Sequence, residues 1–160
     1  MKKTILFLII SFSCTYIFSQ EVDLKIAPDE ITIPIGTIIK LSTNTDGSEI
    51  GNFELLEKSS IEDPVDMMEL MGSYERQEIV SNEIEFKFSQ ADFMGSKMII
   101  LTTVHHLEVA FIFDARIRIR GRTDFIETSI TPKHPNVFSV EQWRDDIDYI
   151  ILSNFRVINL

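Results

Sequence analysis

The sequence contains little cysteine, little glycine and few basic residues. Its 160 residues include one cysteine and six glycines, and 15 lysines and arginines stand against 25 acidic residues, for a formal charge of −10. One cysteine cannot build a disulfide framework, so burial of apolar side chains must hold the fold together. The acidic balance argues against general binding to nucleic acid or anionic lipid, because both partners require a basic face.

The sequence also lacks an apolar run long enough for a membrane anchor. Its longest run, residues 5–18, is shorter than the roughly 20 residues of a transmembrane helix. Lys2 and Lys3 precede this run, as in the charged start of a secretory signal peptide. We therefore predict a signal peptide over residues 1–19 and no stable membrane span once it is removed.

The remainder, residues 20–160, is predicted to be a single domain outside the cytoplasm, either periplasmic or secreted. Cys14 falls within the predicted signal and is followed by further apolar residues, whereas a lipoprotein cysteine ends the apolar run. No lipid anchor at Cys14 is expected. Without the signal, 13 basic residues face 25 acidic ones, a net charge of about −12.

Apolar residues recur with a period of two along most of the domain, which is typical of β-strands. The longest such run covers residues 108–120. The pair Asp46-Gly47 is a strong turn signal and predicts a hairpin between residues 38–44 and 49–57. The final segment, residues 148–160, is apolar on both faces for half its length, so we expect a central strand.

One segment, EDPVDMMELMGS, indicates a short helix instead. Asp63 suits the N-cap, Pro64 suits the first helical position, and Gly72 can end the helix in the left-handed conformation. Met67, Leu70 and Met71 then share a face that must dock on the rest of the domain, because two turns of helix are unstable alone in water.

Together these patterns predict an all-β fold, an antiparallel β-sandwich with one short helix. A lipocalin-like β-barrel is the alternative. Residues 30–41, with alternating isoleucines running into Gly36 and a second strand ending in Leu41, resemble the opening of bacterial immunoglobulin-like modules. That resemblance favours an immunoglobulin-like sandwich and implies nothing about ligands.

The segment ARIRIRGR places an arginine at every second position, so an extended backbone directs all four to one side. They could bind an acidic glycan or another polyanion, or they could form one half of an ion-paired sheet face. Carboxylates for internal pairing are available at Asp124, at Glu127 and in residues 57–85, and we favour the paired face. The four arginines are Arg116, Arg118, Arg120 and Arg122.

Recognised catalytic and metal-binding signatures are missing. The sequence has no G-x-S-x-G, no phosphate-binding glycine loop and no S-x-x-K. His105 and His106 are adjacent and lack the spacing of metal ligands, so a solvated turn is the preferred interpretation. The oxygen-rich stretch 44–49 lacks the acidic first and twelfth positions of a calcium loop. No metal, cofactor or catalytic residue is assigned.

The leading hypothesis is an exported, non-enzymatic protein that acts by contact with a protein or an envelope glycan. Methionine and tryptophan are over-represented in contact patches, so the helix and the tryptophan segment are the candidate surfaces. Binding of an acidic polyanion by the arginines is the first alternative, and a hydrolase or enzyme inhibitor is the second. The candidate contact residues are Met67, Met68, Met71 and Trp143.

Overall fold

A computed structural model describes residues 23–74 and 82–158, and the predicted signal peptide with Cys14 lies outside them. Most of the described chain is β-strand, and it contains one helix, α1 (Met67–Tyr74). The strands, in chain order, are β1 (Lys25–Ile26), β2 (Glu30–Pro34), β3 (Thr37–Asp46), β4 (Glu49–Ser60), β5 (Val65–Asp66), β6 (Glu83–Phe93), β7 (Ser96–His105), β8 (Ala110–Ile119), β9 (Ile126–Thr128), β10 (Ser139–Trp143) and β11 (Ile147–Ile158).

The strands form two layers. The first has the order β4, β3, β6, β7, β10, and the second has the order β1, β2, β11, β8, β9. Among the described residues, the layers are joined by backbone pairing where Arg156 of β11 meets Glu49 of β4. The described strands form an open sheet, so the predicted antiparallel β-sandwich with one short helix is confirmed over the lipocalin-like barrel.

Alternating apolar side chains from both layers fill the space between them. Phe86 of β6 meets Phe113 of β8 edge to face, with ring centroids 5.8 Å apart. Phe155 of β11 also contacts Phe86, at 6.4 Å. These contacts fix the layers face to face, because aromatic rings bury large areas and prefer such tilted arrangements. The core also contains Ile31, Ile33, Ile39, Leu41, Ile84, Phe88, Leu101, Phe111, Ile150 and Leu152.

The predicted hairpin is present, with its turn one residue later than expected. Asp46 still pairs with Glu49, so Gly47 and Ser48 form the two-residue loop. Gly47 has a φ of 61°, in the left-handed region that glycine adopts without a Cβ penalty. The strand pairing itself extends to Thr37 and Ser60.

β11 is the central strand of its layer, as its two apolar faces predict. It pairs with β2 on one side and with β8 on the other. Ile150 and Leu152 face the core, and Tyr149 and Ile151 are nearly buried on the opposite face. Its register against β8 shifts twice, as it does at β-bulges.

The helix begins later than the sequence indicates. Val65 and Asp66 pair in parallel with β6, so Pro64 precedes a short strand and is not the first helical residue. Asp66 replaces Asp63 as the cap, because its Oδ1 accepts the backbone N–H of Met68 at 2.7 Å and that of Glu69 at 3.2 Å. Gly72 lies inside α1 and does not end it. Within the described residues, no helix has the length and hydropathy needed to cross a bilayer.

Candidate functional site

The arginines of β8 lie on the outer face of the second layer, because Ala115 and Ile117 between them point into the core. Arg116 donates from Nη2 to Glu30 Oε2 on β2 at 2.9 Å. Arg120 donates from Nε to Asp146 Oδ2 at 3.0 Å. Both arginines therefore pair with carboxylates from neighbouring segments of their own layer.

Arg118 has the most complete set of contacts on this face. Its Nε and Nη2 donate to the two carboxylate oxygens of Asp148, each at 2.9 Å. Its guanidinium carbon lies 4.1 Å from the centroid of the Tyr149 ring. The hydrogen bonds to Asp148 raise the pKa of Arg118 above its usual value. A two-pronged pair above an aromatic ring holds the side chain in one orientation.

The paired interpretation describes three of the four arginines, although their partners differ from the predicted ones. Glu127 lies directly across from Arg116 in the β8–β9 register, yet the ion pair of Arg116 is with Glu30. Arg122 lies beyond the end of β8 and has no ion pair with any described residue. Sequence alone could not supply the partners, because they depend on how β2 and β11 align with β8.

A fourth ion pair joins β11 to β8 on the same outer face. Arg156 of β11 holds Asp114 of β8, with Nη2 and Oδ1 2.8 Å apart, and Asn154 donates to the same carboxylate. The hydrogen bond from Arg156 is the main cause of a lowered pKa for Asp114. We call these eight residues the charged face. Its members are Glu30, Asp114, Arg116, Arg118, Arg120, Asp146, Asp148 and Arg156.

The helix lies on the outside of the first layer and leaves large apolar side chains in solvent. Met67 and Leu70 are buried against Ala91 and Ile100, so one side of α1 docks on β6 and β7. Met68 and Met71 are 64% and 54% exposed. The candidate contact residue Met67 is thus a docking residue, whereas Met68 and Met71 lie at the surface.

A third exposed methionine lies at the tip of the β6–β7 hairpin. Met94 is 86% exposed at the tip, where Asp92 accepts the backbone N–H of Gly95 at 2.8 Å. β5 and β6 pair in parallel, and Asp66 lies beside Asp92. Met68 follows Asp66 by two residues, and Met94 follows Asp92 by two residues. We call Met68, Met71 and Met94 the methionine surface. Sequence reasoning missed Met94, whose only signal was its place in the Met-Gly turn.

Trp143, the fourth candidate contact residue, is half-buried. Its position in β10, across from Ile99, directs the ring toward the main core. The indole Nε1 donates to Thr128 Oγ1 of β9 at 2.8 Å. The ring therefore spans the gap between the two layers at this edge of the sandwich.

Ser139 and Glu141 of β10 also make contacts across this gap. Lys133 donates from Nζ to Glu141 Oε1 at 2.6 Å and to Ser139 Oγ at 2.9 Å. Thr131 donates its backbone N–H to the same carboxylate oxygen at 2.9 Å. We call these contacts the seam, because side chains close the edge where no backbone ladder joins β9 to β10. The seam residues are Thr128, Thr131, Lys133, Ser139, Glu141 and Trp143.

Lys133 is a buried charge that the sequence did not reveal. Only 1% of its side chain is exposed, and 11% of the Glu141 side chain. Burial lowers the pKa of Lys133, because a charged ammonium loses its hydration there. Burial acts to raise the pKa of Glu141, but hydrogen bonds from Lys133 and Thr131 outweigh it and lower that pKa. Pro132 and Pro135 flank this segment, and prolines at that spacing are typical of an exposed loop.

His105 lies beside the seam and corrects the prediction of a solvated turn. It is the last residue of β7, is fully buried, and its ring lies 4.6 Å from that of Phe111. Within the described chain neither ring nitrogen has a hydrogen-bond partner. Burial lowers the pKa of His105 to about 4, and the nearby backbone of Lys133 only partly offsets this. His106 is partly exposed and contacts Asn136.

Neither the adjacent histidines, His105 and His106, nor the oxygen-rich stretch 44–49 forms a metal centre over residues 23–74 and 82–158. No group of three or more histidine, cysteine, aspartate or glutamate side chains is close enough to hold an ion in these ranges. Stretch 44–49 forms the end of β3, the hairpin loop and the start of β4. Searches against protein-family profiles, curated proteins and solved structures find no match to this chain.

Proposed function

We propose that this protein is an exported, non-enzymatic β-sandwich that acts by binding another protein through the methionine surface. The observation that carries the proposal is the exposure of Met68, Met71 and Met94, together with the β5–β6 pairing that brings α1 toward the β6–β7 turn. Side chains of this size are costly to leave in water, and methionine adapts its shape to a partner. Export rests on the signal-like start of the sequence.

The way α1 is attached supports this choice. Asp66 orders the first turn and Met67 with Leu70 anchors one side, so Met68 and Met71 are held in place before any partner arrives. A preordered contact surface loses less conformational entropy on binding. The helix therefore presents its exposed methionines as a rigid unit.

The charged face gives less support to the alternative of an acidic glycan or polyanion ligand. Arg116, Arg118 and Arg120 are each engaged with a carboxylate, so an incoming anion would have to displace an internal partner. A polyanion would also meet the repulsion of an acidic chain. Of the four alternating arginines, Arg122 is the one that could engage an anion without displacing a described carboxylate.

The proposal is tested by chemical crosslinking of the mature protein in envelope extract, followed by quantification of the crosslinked partner. The variant Met68→Asp with Met71→Asp is expected to lower the yield more than about tenfold, because charges in an apolar contact remove hot-spot residues. The matched control is Leu55→Asp with Leu56→Asp, which adds the same charge at the exposed leucines of β4.

Circular dichroism should show the parent spectrum for both variants, since all four side chains are between 42% and 64% exposed. An equal yield from the parent and the methionine variant would contradict the proposal. A loss in the leucine variant alone would move the contact to β4. Loss in Arg116→Gln with Arg118→Gln, with the methionine variant unaffected, would favour the polyanion alternative.

A further inference from the structure

A cleft of about 680 Å³ opens beside β10, where β7 extends past the end of that strand. Its volume is within the usual range for small-ligand sites. Three of its lining residues are apolar: Phe93, Met98 and the half-buried Trp143. The rest is polar or charged, from Ser96, Lys97, Gln142 and Arg144.

The two cations of the cleft have no ion-pair partner among the described residues. Six of the charged arginines and lysines, including all of those on the charged face, are held in ion pairs, whereas neither Lys97 nor Arg144 has an ion pair with a described residue. Asp92 lies across from Lys97 in the hairpin register, but its Oδ1 accepts the backbone N–H of Gly95. Both cations are exposed at the cleft and can turn toward a ligand.

The geometry points to a binding site for a small amphiphilic anion, such as a long-chain carboxylate. The apolar body would pack on Phe93 and Met98, beside Trp143. The acidic head group would lie between Lys97 and Arg144, which are the charge complement of a carboxylate. Phe93 and Ser96 of the cleft flank Met94 of the methionine surface in the chain. The existence of the cleft does not depend on the proposed protein contact.

Trp143 gives a direct optical test, because it is the single tryptophan of the chain. The probe is 1-anilinonaphthalene-8-sulfonate, and its matched neutral control is N-phenyl-1-naphthylamine, which has the same rings without the sulfonate. Energy transfer from Trp143 to the sulfonate probe is expected on titration of the mature protein. Dodecanoate should displace the probe, and dodecanol should not.

The variant Lys97→Gln with Arg144→Gln is expected to weaken sulfonate binding roughly five- to tenfold and to leave the neutral dye unchanged. Lys58→Gln with Lys87→Gln removes two cations elsewhere and should behave like the parent. Added salt should weaken sulfonate binding in the parent.

Three outcomes would overturn the inference: no energy transfer from Trp143, equal binding of the charged and neutral dyes, or equal binding by the parent and the Lys97, Arg144 variant. Because Met68→Asp with Met71→Asp leaves the cleft intact, it should retain sulfonate binding. Failure of the cleft and failure of the protein contact are therefore measured separately.

Discussion

The two outer faces of the sandwich handle their side chains in opposite ways. On the β2–β11–β8 side, four arginines pair with four carboxylates, and Arg118 shields the Tyr149 ring. On the β6–β7–β10 side, α1 covers part of an apolar surface, and Met68, Met71 and Met94 remain in water. The first face pairs most of its charges within its own layer, whereas the second leaves large apolar side chains exposed to solvent.

The most conspicuous pattern of the sequence, the alternating arginines, is therefore not the most accessible surface of the structure. The alternating arginines are the most visible feature of an acidic sequence, yet three of them are occupied by intramolecular pairs. The methionines attract less notice in the sequence, but the structure leaves them accessible. Unsatisfied apolar surface is a better indication of a partner than charge that is already neutralised.

The largest expected effect comes from the seam, which holds the edges of the two layers together. Lys133→Met leaves the Glu141 carboxylate without its cation, and loss of one partner of a buried pair costs roughly 3 to 5 kcal/mol of unfolding free energy. Urea denaturation measures the change. Lys133→Met combined with Glu141→Gln should regain part of the loss, and a single variant as stable as the parent would contradict the structural role of the pair.

The next effect is a dependence of stability on pH that originates at His105. Its folded-state pKa of about 4 lies below the usual 6.5, so the unfolded chain binds more protons between these values. The stabilisation is complete above about pH 6.5 and is lost as the pH falls toward 4, by at most about 3 kcal/mol.

His105→Leu removes this titration while keeping an apolar side chain beside Phe111. Denaturation across the same pH range should therefore show a shallower fall for the variant than for the parent, with the carboxylate contribution common to both. Parallel curves would show that His105 does not titrate in this window. His106 and His134 lie nearby, so the parent with His106→Gln serves as the control.

The smallest expected effects lie on the charged face, and they should follow burial. Arg118→Gln should cost about 1 kcal/mol, because the pair with Asp148 has two hydrogen bonds and a ring contact and is largely shielded. Arg120→Gln should cost less than about 0.5 kcal/mol, since both side chains of that pair are mostly exposed. Thermal denaturation of the two variants compares them, and a reversed order would disprove the ranking.

Much of the layered fold follows from local sequence. The alternation through β8, the two apolar faces of β11 and the glycine of the β3–β4 turn each reflect a requirement of a few neighbouring residues. These features predict strands, a hairpin and a central position. They are nearly independent of what lies across the sandwich.

The features that the sequence could not reveal depend on distant residues. Asp66 caps α1 because Val65 is drawn into pairing with β6, which displaces the start of the helix. Lys133 is buried because Glu141 and Ser139 of β10 lie within reach of its ammonium group. A lysine in a proline-rich segment gives no indication of these contacts in the sequence. The same β5–β6 pairing brings the start of α1 toward the turn that contains Met94, which the sequence could not indicate.

The most direct test of the central claim is a peroxide-oxidation footprint of the mature protein, read by mass spectrometry with and without envelope extract. Without extract, Met68, Met71 and Met94 should oxidise readily, whereas Met67, which is 7% exposed, should resist. With extract, the account predicts protection of Met68, Met71 and Met94 together. Unchanged oxidation of all three in extract that still yields a crosslinked partner would contradict it.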